Sequence, residues 1–186
     1  MIGYLKGIIL SATERYMLLD VTGVGYKLFC PLPILLAAAP GKTISLFVHT
    51  HVREDAITLY GFETDTELEV FERLLDVSGI GPKSALAMLS VHSPGSIADA
   101  VERADVVLLS HTPGIGKKTA EKTILELKGK LAHLQDMAVN ESTFEVRLAL
   151  EALGYSPKEV QSVLSKLNPL EKNTSKLITE ALSLLK

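Results

Sequence analysis

The chain has 186 residues, 47% of them hydrophobic, which is enough for a real core and more than one small domain. A net charge of −3 excludes a protein coated in positive charge, so any grip on nucleic acid has to come from local patches and helix ends. A single cysteine, Cys30, excludes an internal disulfide framework and a cysteine-rich metal or iron–sulfur site, and it reads as a buried core residue.

The chain opens Met1-Ile2-Gly3-Tyr4-Leu5-Lys6, without a signal-peptide hydrophobic run or cleavage site. No apolar stretch approaches membrane-spanning length, so a cytoplasmic protein with no membrane contact is expected. Residues 1–62 read as β structure. Ile44, Leu46, Val48, Thr50 and Val52 alternate with Ser45, Phe47, His49, His51 and Arg53, the period of a half-buried strand. Further strands are expected over 2–10, 16–22, 26–30 and 56–60. Gly23 and Gly25 mark a turn, Pro40-Gly41 marks a loop, and the alanine-rich stretch 31–39 reads as a short helix. Five strands with a helix after the third predict a small barrel of the oligonucleotide-binding (OB) type.

The last two strands are joined through Arg53-Glu54-Asp55-Ala56. Taken alone, Glu54 and Asp55 are adjacent carboxylates at a hairpin tip, ordinary solvated turn residues. His49 and His51 share one strand face, but no third ligand accompanies them, so packed or solvated histidines are expected and not a metal site.

From residue 63 to 134 the pattern becomes helical and carries one phrase twice. Val77-Ser78-Gly79-Ile80-Gly81-Pro82-Lys83-Ser84-Ala85 returns as Thr112-Pro113-Gly114-Ile115-Gly116-Lys117-Lys118-Thr119-Ala120. Leu68, Phe71, Leu74 and Leu75 precede the first copy at spacings that put them on one helix face. Leu86 and Leu89 follow it, and Ile124, Leu127 and Leu131 follow the second. Short helices over 96–103 and 105–111 are expected between the copies. Two glycines around one apolar residue allow a sharp reversal between helices, with Ile80 or Ile115 plugged into the core. The following helix start then offers unpaired N–H groups and positive partial charge, which suit a phosphate. Lys83, Lys117 and Lys118 stand beside that cradle, and Lys122 lies one turn on. Such a device grips a backbone and reads no bases.

A nucleotide-binding reading fails on the residues. A P-loop needs Gly where His111 stands and Ser or Thr where Lys118 stands, and Ser84 and Thr119 occupy the last glycine of a dinucleotide fingerprint.

Residues 135–141 lose periodicity and read as a linker, and 142–186 as a three-helix unit. Ser142-Thr143-Phe144-Glu145 and Ser156-Pro157-Lys158-Glu159 are capping boxes, and Gly154 can close the first of these helices. A third helix is expected over 174–185, with Leu177, Ile178, Ala181, Leu182 and Leu185 as its stripe. Balanced charges and no basic face point to protein docking and away from DNA.

With barrel, paired hairpins and small helical tail in that order, the chain resembles the RuvA family, the Holliday-junction-binding subunits of the bacterial RuvAB branch-migration complex. The resemblance spans the whole length. It is carried by Met1-Ile2-Gly3, Gly23-Val24-Gly25-Tyr26, Val52-Arg53-Glu54-Asp55-Ala56, Leu59-Tyr60-Gly61-Phe62 and both Gly-Ile-Gly hairpins, and more loosely by residues 149–155. It implies a multidomain α+β chain: an OB-fold-like barrel (1–62), a tandem helix-hairpin-helix domain (63–134), a linker (135–141) and a three-helix motor-docking domain (142–186).

The same resemblance implies homotetramers, one or two of which hold a four-way junction in an open square during homologous recombination and DNA repair. Gly79, Gly81, Lys83, Gly114, Gly116, Lys117, Lys118 and Lys122 match the family's DNA-gripping positions, and Glu54 and Asp55 match its acidic pin. The tail resembles the domain that docks on RuvB, the ATP-driven motor, and a RuvC-type junction resolvase is a further implied partner. The subunit itself hydrolyses nothing and needs no cofactor. The alternative is an enzyme of the base-excision glycosylase type, whose hairpin is similar to residues 112–120. Its catalytic carboxylate would have to be Asp136, which falls in the linker.

Overall fold

The computed structural model describes residues 1–134 and, beyond them, 146, 149, 150, 153, 155, 157–164, 167 and 174–184. Five strands, β1 (Tyr4–Ala12), β2 (Met17–Val21), β3 (Val24–Phe29), β4 (Thr43–Val52) and β5 (Ile57–Phe62), close into a barrel in the order β1-β2-β3-β5-β4. Helix α1 (Leu32–Ala37) follows β3, where the sequence places it. β1 closes the barrel by pairing with β4 through Tyr4–Ile8 and with β2 through Ile8–Ala12, and its register with β2 slips between Ile9 and Ser11. That irregularity turns the strand between its two neighbours. At Gly7 a Cβ would run into the Asp20 carbonyl, so only glycine lets the strands approach there.

Alternation places Leu5, Ile9, Leu19, Leu28, Leu46, Val48 and Leu59 inside, each under a tenth exposed. Cys30 joins this core, and burial pushes its thiol up to about 12, so it stays protonated and unreactive. The turn between β2 and β3 is Thr22-Gly23, with φ of 56° and 88°. Gly25 lies inside β3 opposite Asp20, not in the turn where the sequence reading put it.

The central region holds α2 (Asp65–Leu75), α3 (Pro82–Val91), α4 (Pro94–Glu102), α5 (Val106–Ser110) and α6 (Lys117–Leu127), closed by a 3-10 turn at Ala132–Leu134. α4 begins two residues earlier than its periodicity predicts, because Ser93 caps it by accepting from the Ser96 N–H at 3.2 Å. α2 carries a full capping box between Thr64 and Glu67. Its buried side is Val70, Phe71 and Leu74, with Leu68 and Leu75 packed half-exposed at the margin.

Barrel and helices share packing at one place. Phe71 sits 4.9 Å from Phe62 and 5.1 Å from Tyr60, ring centre to ring centre, and 5.5 Å from His49. Phe62 ends β5 yet belongs to the helical core, so residue 62 closes the barrel's chain segment without closing its packing. An aromatic ring fully buried at such a junction contributes on the order of 2–3 kcal/mol. His49 Nδ1 and Glu72 Oε1 lie 2.9 Å apart and add a polar tie alongside.

In the tail, Val146, Leu150, Val160, Val163, Leu167, Leu177 and Ala181 form a core of their own. Helices α7 (Pro157–Leu164) and α8 (Thr174–Leu184) supply most of it. Leu177 and Ala181 are buried and Ile178 and Leu182 pack half-buried, as the stripe predicts. The linker 135–141, the capping box at 142–145, Gly154, Ser156 and Leu185 lie outside the described residues.

Candidate nucleic-acid interface

Each Gly-Ile-Gly phrase forms a tight reversal between two helices: α2 to α3 for the first, α5 to α6 for the second. The Ile80 N–H donates to the Val77 carbonyl at 3.0 Å, and the Ile115 N–H to the Thr112 carbonyl at 3.0 Å. Ile80 and Ile115 are 5% and 4% exposed, so the isoleucines are the plugs that hold both hairpins to the core.

The two glycines of each phrase do different work. Gly79 and Gly114 have φ of 94° and 86°, the left-handed region where a side chain is strained. Gly81 and Gly116 are extended helix N-caps with φ of −102° and −85°. Any residue adopts that backbone, and a Cβ on either would meet nothing within 4 Å. The fold therefore requires the first glycine of each pair, while the second leaves open space at the helix start. The sharp reversal expected of both glycines thus falls to the first of each pair alone.

α2, α4 and α5 start under side-chain caps from Thr64, Ser93 and Asp105. α3 and α6 have no side-chain cap and no acidic residue in the first turn. Each start leaves backbone N–H groups that the helix itself does not bond, and the positive end of the helix is unopposed. Pro82 removes one donor from α3, and the Ser84 N–H is used by the Gly81 carbonyl at 3.0 Å, so the second hairpin offers the richer set of amides.

Lys83 and Lys118 are structurally equivalent, each the second residue of its helix. Both are exposed, and among the described residues neither has a carboxylate within ion-pair distance. Lys117 lies 4.0 Å from Glu121, an exposed pair of little energetic consequence. Lys122 lies 3.7 Å from Glu126. Glu126 also accepts from the Ser78 N–H at 3.3 Å, so Lys122, expected beside its own hairpin, belongs next to the first one. Glu126 was missed by sequence reasoning, since at four residues from Lys122 it looks like any surface pair.

Thr112 was missed as well. It holds the place that Val77 has in the first hairpin, is 2% exposed, and among the described residues its hydroxyl has no hydrogen-bond partner. Nearby, burial and then His111 hold the His92 imidazole below the ordinary histidine range.

Glu54 and Asp55 lie at the tip joining β4 to β5, where the Arg53 N–H donates to the Ala56 carbonyl at 2.9 Å. Both are exposed, and no cation among the described residues pairs with either. Arg53 is turned away from them, its Nε–H donating to His51 Nε2 at 3.0 Å. Burial, with Arg53 and then His49 nearby, lowers the His51 pKa, which keeps that acceptor neutral. Among the described residues no group of three His, Cys, Asp or Glu could hold a metal, and no helix is long and apolar enough to cross a membrane.

Comparison with known proteins covers all three regions. Residues 1–61 match the RuvA N terminal domain, 71–130 a SAM-like helix-hairpin-helix tandem, and 143–186 the RuvA C-terminal domain. A Lactobacillus gasseri protein named Holliday junction branch migration complex subunit RuvA is 43% identical over 191 residues, covering 100% of this chain and 98% of the relative. Relatives of the same name from Brevibacillus brevis (41%, 100% and 98% covered) and Dehalococcoides mccartyi (43%, 90% and 89% covered) are similar to it as well. None of this leaves room for the glycosylase alternative, and its one candidate carboxylate, Asp136, lies outside the described residues. Barrel, paired hairpins and tail thus each match in chain order, and the likeness runs end to end: this chain belongs to the RuvA family.

Proposed function

We propose that this chain binds four-way DNA junctions and holds them open for a RuvB-type motor. The observation that carries the reading is the pair of uncapped helix starts, each with a lysine at the same position that has no carboxylate partner among the described residues. Two such cradles suit successive backbone phosphates, where contacts position a duplex without reading its sequence. The relatives are named as subunits of a branch migration complex, which supplies the junction and the motor as partners. The chain acts as a non-catalytic subunit in the cytoplasm and needs no cofactor.

In the proposed assembly four copies meet around the crossover, as one tetramer or two. Glu54 and Asp55 of each copy then crowd carboxylates at the centre. Like charges in a confined, partly dry space repel the phosphates and keep exchanging strands apart. The C-terminal domain docks on the motor, and a RuvC-type resolvase acts on the exposed face of the same complex.

Mobility shift with a four-way junction against duplex of the same sequence tests this reading. Junction preference is expected in the wild type. Lys118→Ala is expected to weaken binding at every sequence and to lower the salt slope by about 1. Equal affinity for junction and duplex would contradict the reading.

A further inference from the structure

Between the barrel and α3 lies a groove of about 530 Å³ whose composition the hairpin chemistry does not use. That volume is in the range of small-molecule sites, about 300–1,000 Å³. One wall is aromatic. Phe29 and Tyr60 lie 6.0 Å apart, centre to centre, inclined at 40°. Tyr16 stands edge-on to Phe29 at 6.2 Å, with Lys27 Nζ 4.1 Å above its ring. Leu86 and Ala87 of α3 form the opposite wall.

Ser90 is already committed: its hydroxyl donates to the Leu86 carbonyl at 2.7 Å and accepts from the Leu32 N–H at 3.0 Å. That clasp ties α1 to α3 and fixes the groove's width. Burial raises the Tyr60 pKa and that of Cys30, so this wall is uncharged at neutral pH. Exposed Arg15 and Lys83 stand among the lining residues, with Glu14 the one carboxylate there. Lys83 is also the unpaired lysine of the first hairpin, so the groove adjoins that phosphate cradle.

An uncharged aromatic slot with net positive residues beside it fits a flat, neutral group on an anionic tether. A nucleobase on its phosphate has that chemistry, and aromatic faces take any base. We propose that this groove receives a single unstacked base of the strand whose phosphate sits on the first hairpin. The proposal rests on the DNA-binding reading above. In a fully paired arm the base would have to leave its stack, whereas at a crossover exchanging partners an unpaired base enters at the least cost. The groove thereby favours junctions caught in mid-exchange over fully paired ones.

The test uses the full chain and two junctions, one fully paired and one with a single unpaired dT beside the crossover. Wild type is expected to bind the unpaired junction about tenfold more tightly, in line with stacking of one base. Ala87→Phe fills the groove from the helix side without removing any core ring, and should abolish that gain while leaving affinity for the paired junction unchanged. With 5-iododeoxyuridine at the unpaired position, ultraviolet crosslinking should map to Phe29 or Tyr60. Equal wild-type affinity for the two junctions, or crosslinks only at other residues, would overturn the proposal. A wild-type protein that prefers neither junction over duplex would sink the junction-binding reading itself, and the groove with it.

Discussion

The Ser78 N–H in the first hairpin donates to Glu126 on the second hairpin's helix, 3.3 Å away, and the same carboxylate lies 3.7 Å from Lys122. One side chain thus joins the two repeats and holds a cation beside the first. Glu126→Gln keeps an acceptor for Ser78 and removes the charge that competes with DNA for Lys122. It should tighten DNA binding severalfold with an unchanged melting temperature. Glu126→Ala should show the same gain in binding together with a stability loss of about 0.5–1 kcal/mol. Weaker binding in the glutamine variant would mean that Lys122 does not face the DNA.

The glycines separate folding from binding. Gly114→Ala forces a Cβ onto a backbone at φ 86° and should cost about 1–2 kcal/mol of stability, read as a lower denaturant midpoint. Gly116→Ala has no left-handed strain to meet and should lose only about 0.5 kcal/mol, because alanine caps a helix less well than glycine. Its added methyl projects into open space at the helix start, so it should weaken DNA binding instead. Equal melting of the two variants would contradict this division of roles.

Thr112→Val should stabilise the protein by about 1 kcal/mol, because it removes a buried hydroxyl that has no partner among the described residues while keeping the shape that Val77 has in the first hairpin. Thermal melting reads the change directly. A lower melting temperature would show that the hydroxyl is satisfied after all.

A fragment ending at Leu134 should fold and bind junctions, because among the described residues the barrel and hairpin cores contain none beyond that point. It should fail to support branch migration by a RuvB-type motor, since the separate tail core is lost. Full-rate migration with the fragment would remove the tail as the coupling element.

Much of this fold can be read from local pattern. Period-two alternation in residues 44–52 marks β4, and the repeated Gly-Ile-Gly phrase marks both hairpins, because both signals depend on neighbours along the chain. The lysines at the helix starts follow from the same phrase. What escapes is tertiary. Nothing near Phe62 says that it will end a barrel strand and pack into a helical core, and nothing near Glu126 points to Ser78. Gly81 and Gly79 look alike in sequence, yet only the dihedral angles separate the glycine the fold needs from the one that leaves a surface open. The groove beside Lys83 draws on β3, β5 and α3 together, and no single stretch announces it.

The proposed opening of the junction turns on Glu54 and Asp55, two negative residues that the proposal sets against DNA where affinity alone would favour lysine. Both are exposed at the β4–β5 tip with no cation paired to them among the described residues, and Arg53 is engaged by His51. If they act as a pin, they weaken binding and return structural selectivity. The decisive quantity is the ratio of junction to duplex affinity at one fixed salt concentration, wild type against the double variant Glu54→Gln, Asp55→Asn. The neutral variant should bind both DNAs more tightly, gain more on duplex, and show a smaller ratio. An unchanged ratio would contradict the pin and leave Glu54 and Asp55 as solvated turn residues, their charges screened from the DNA by salt.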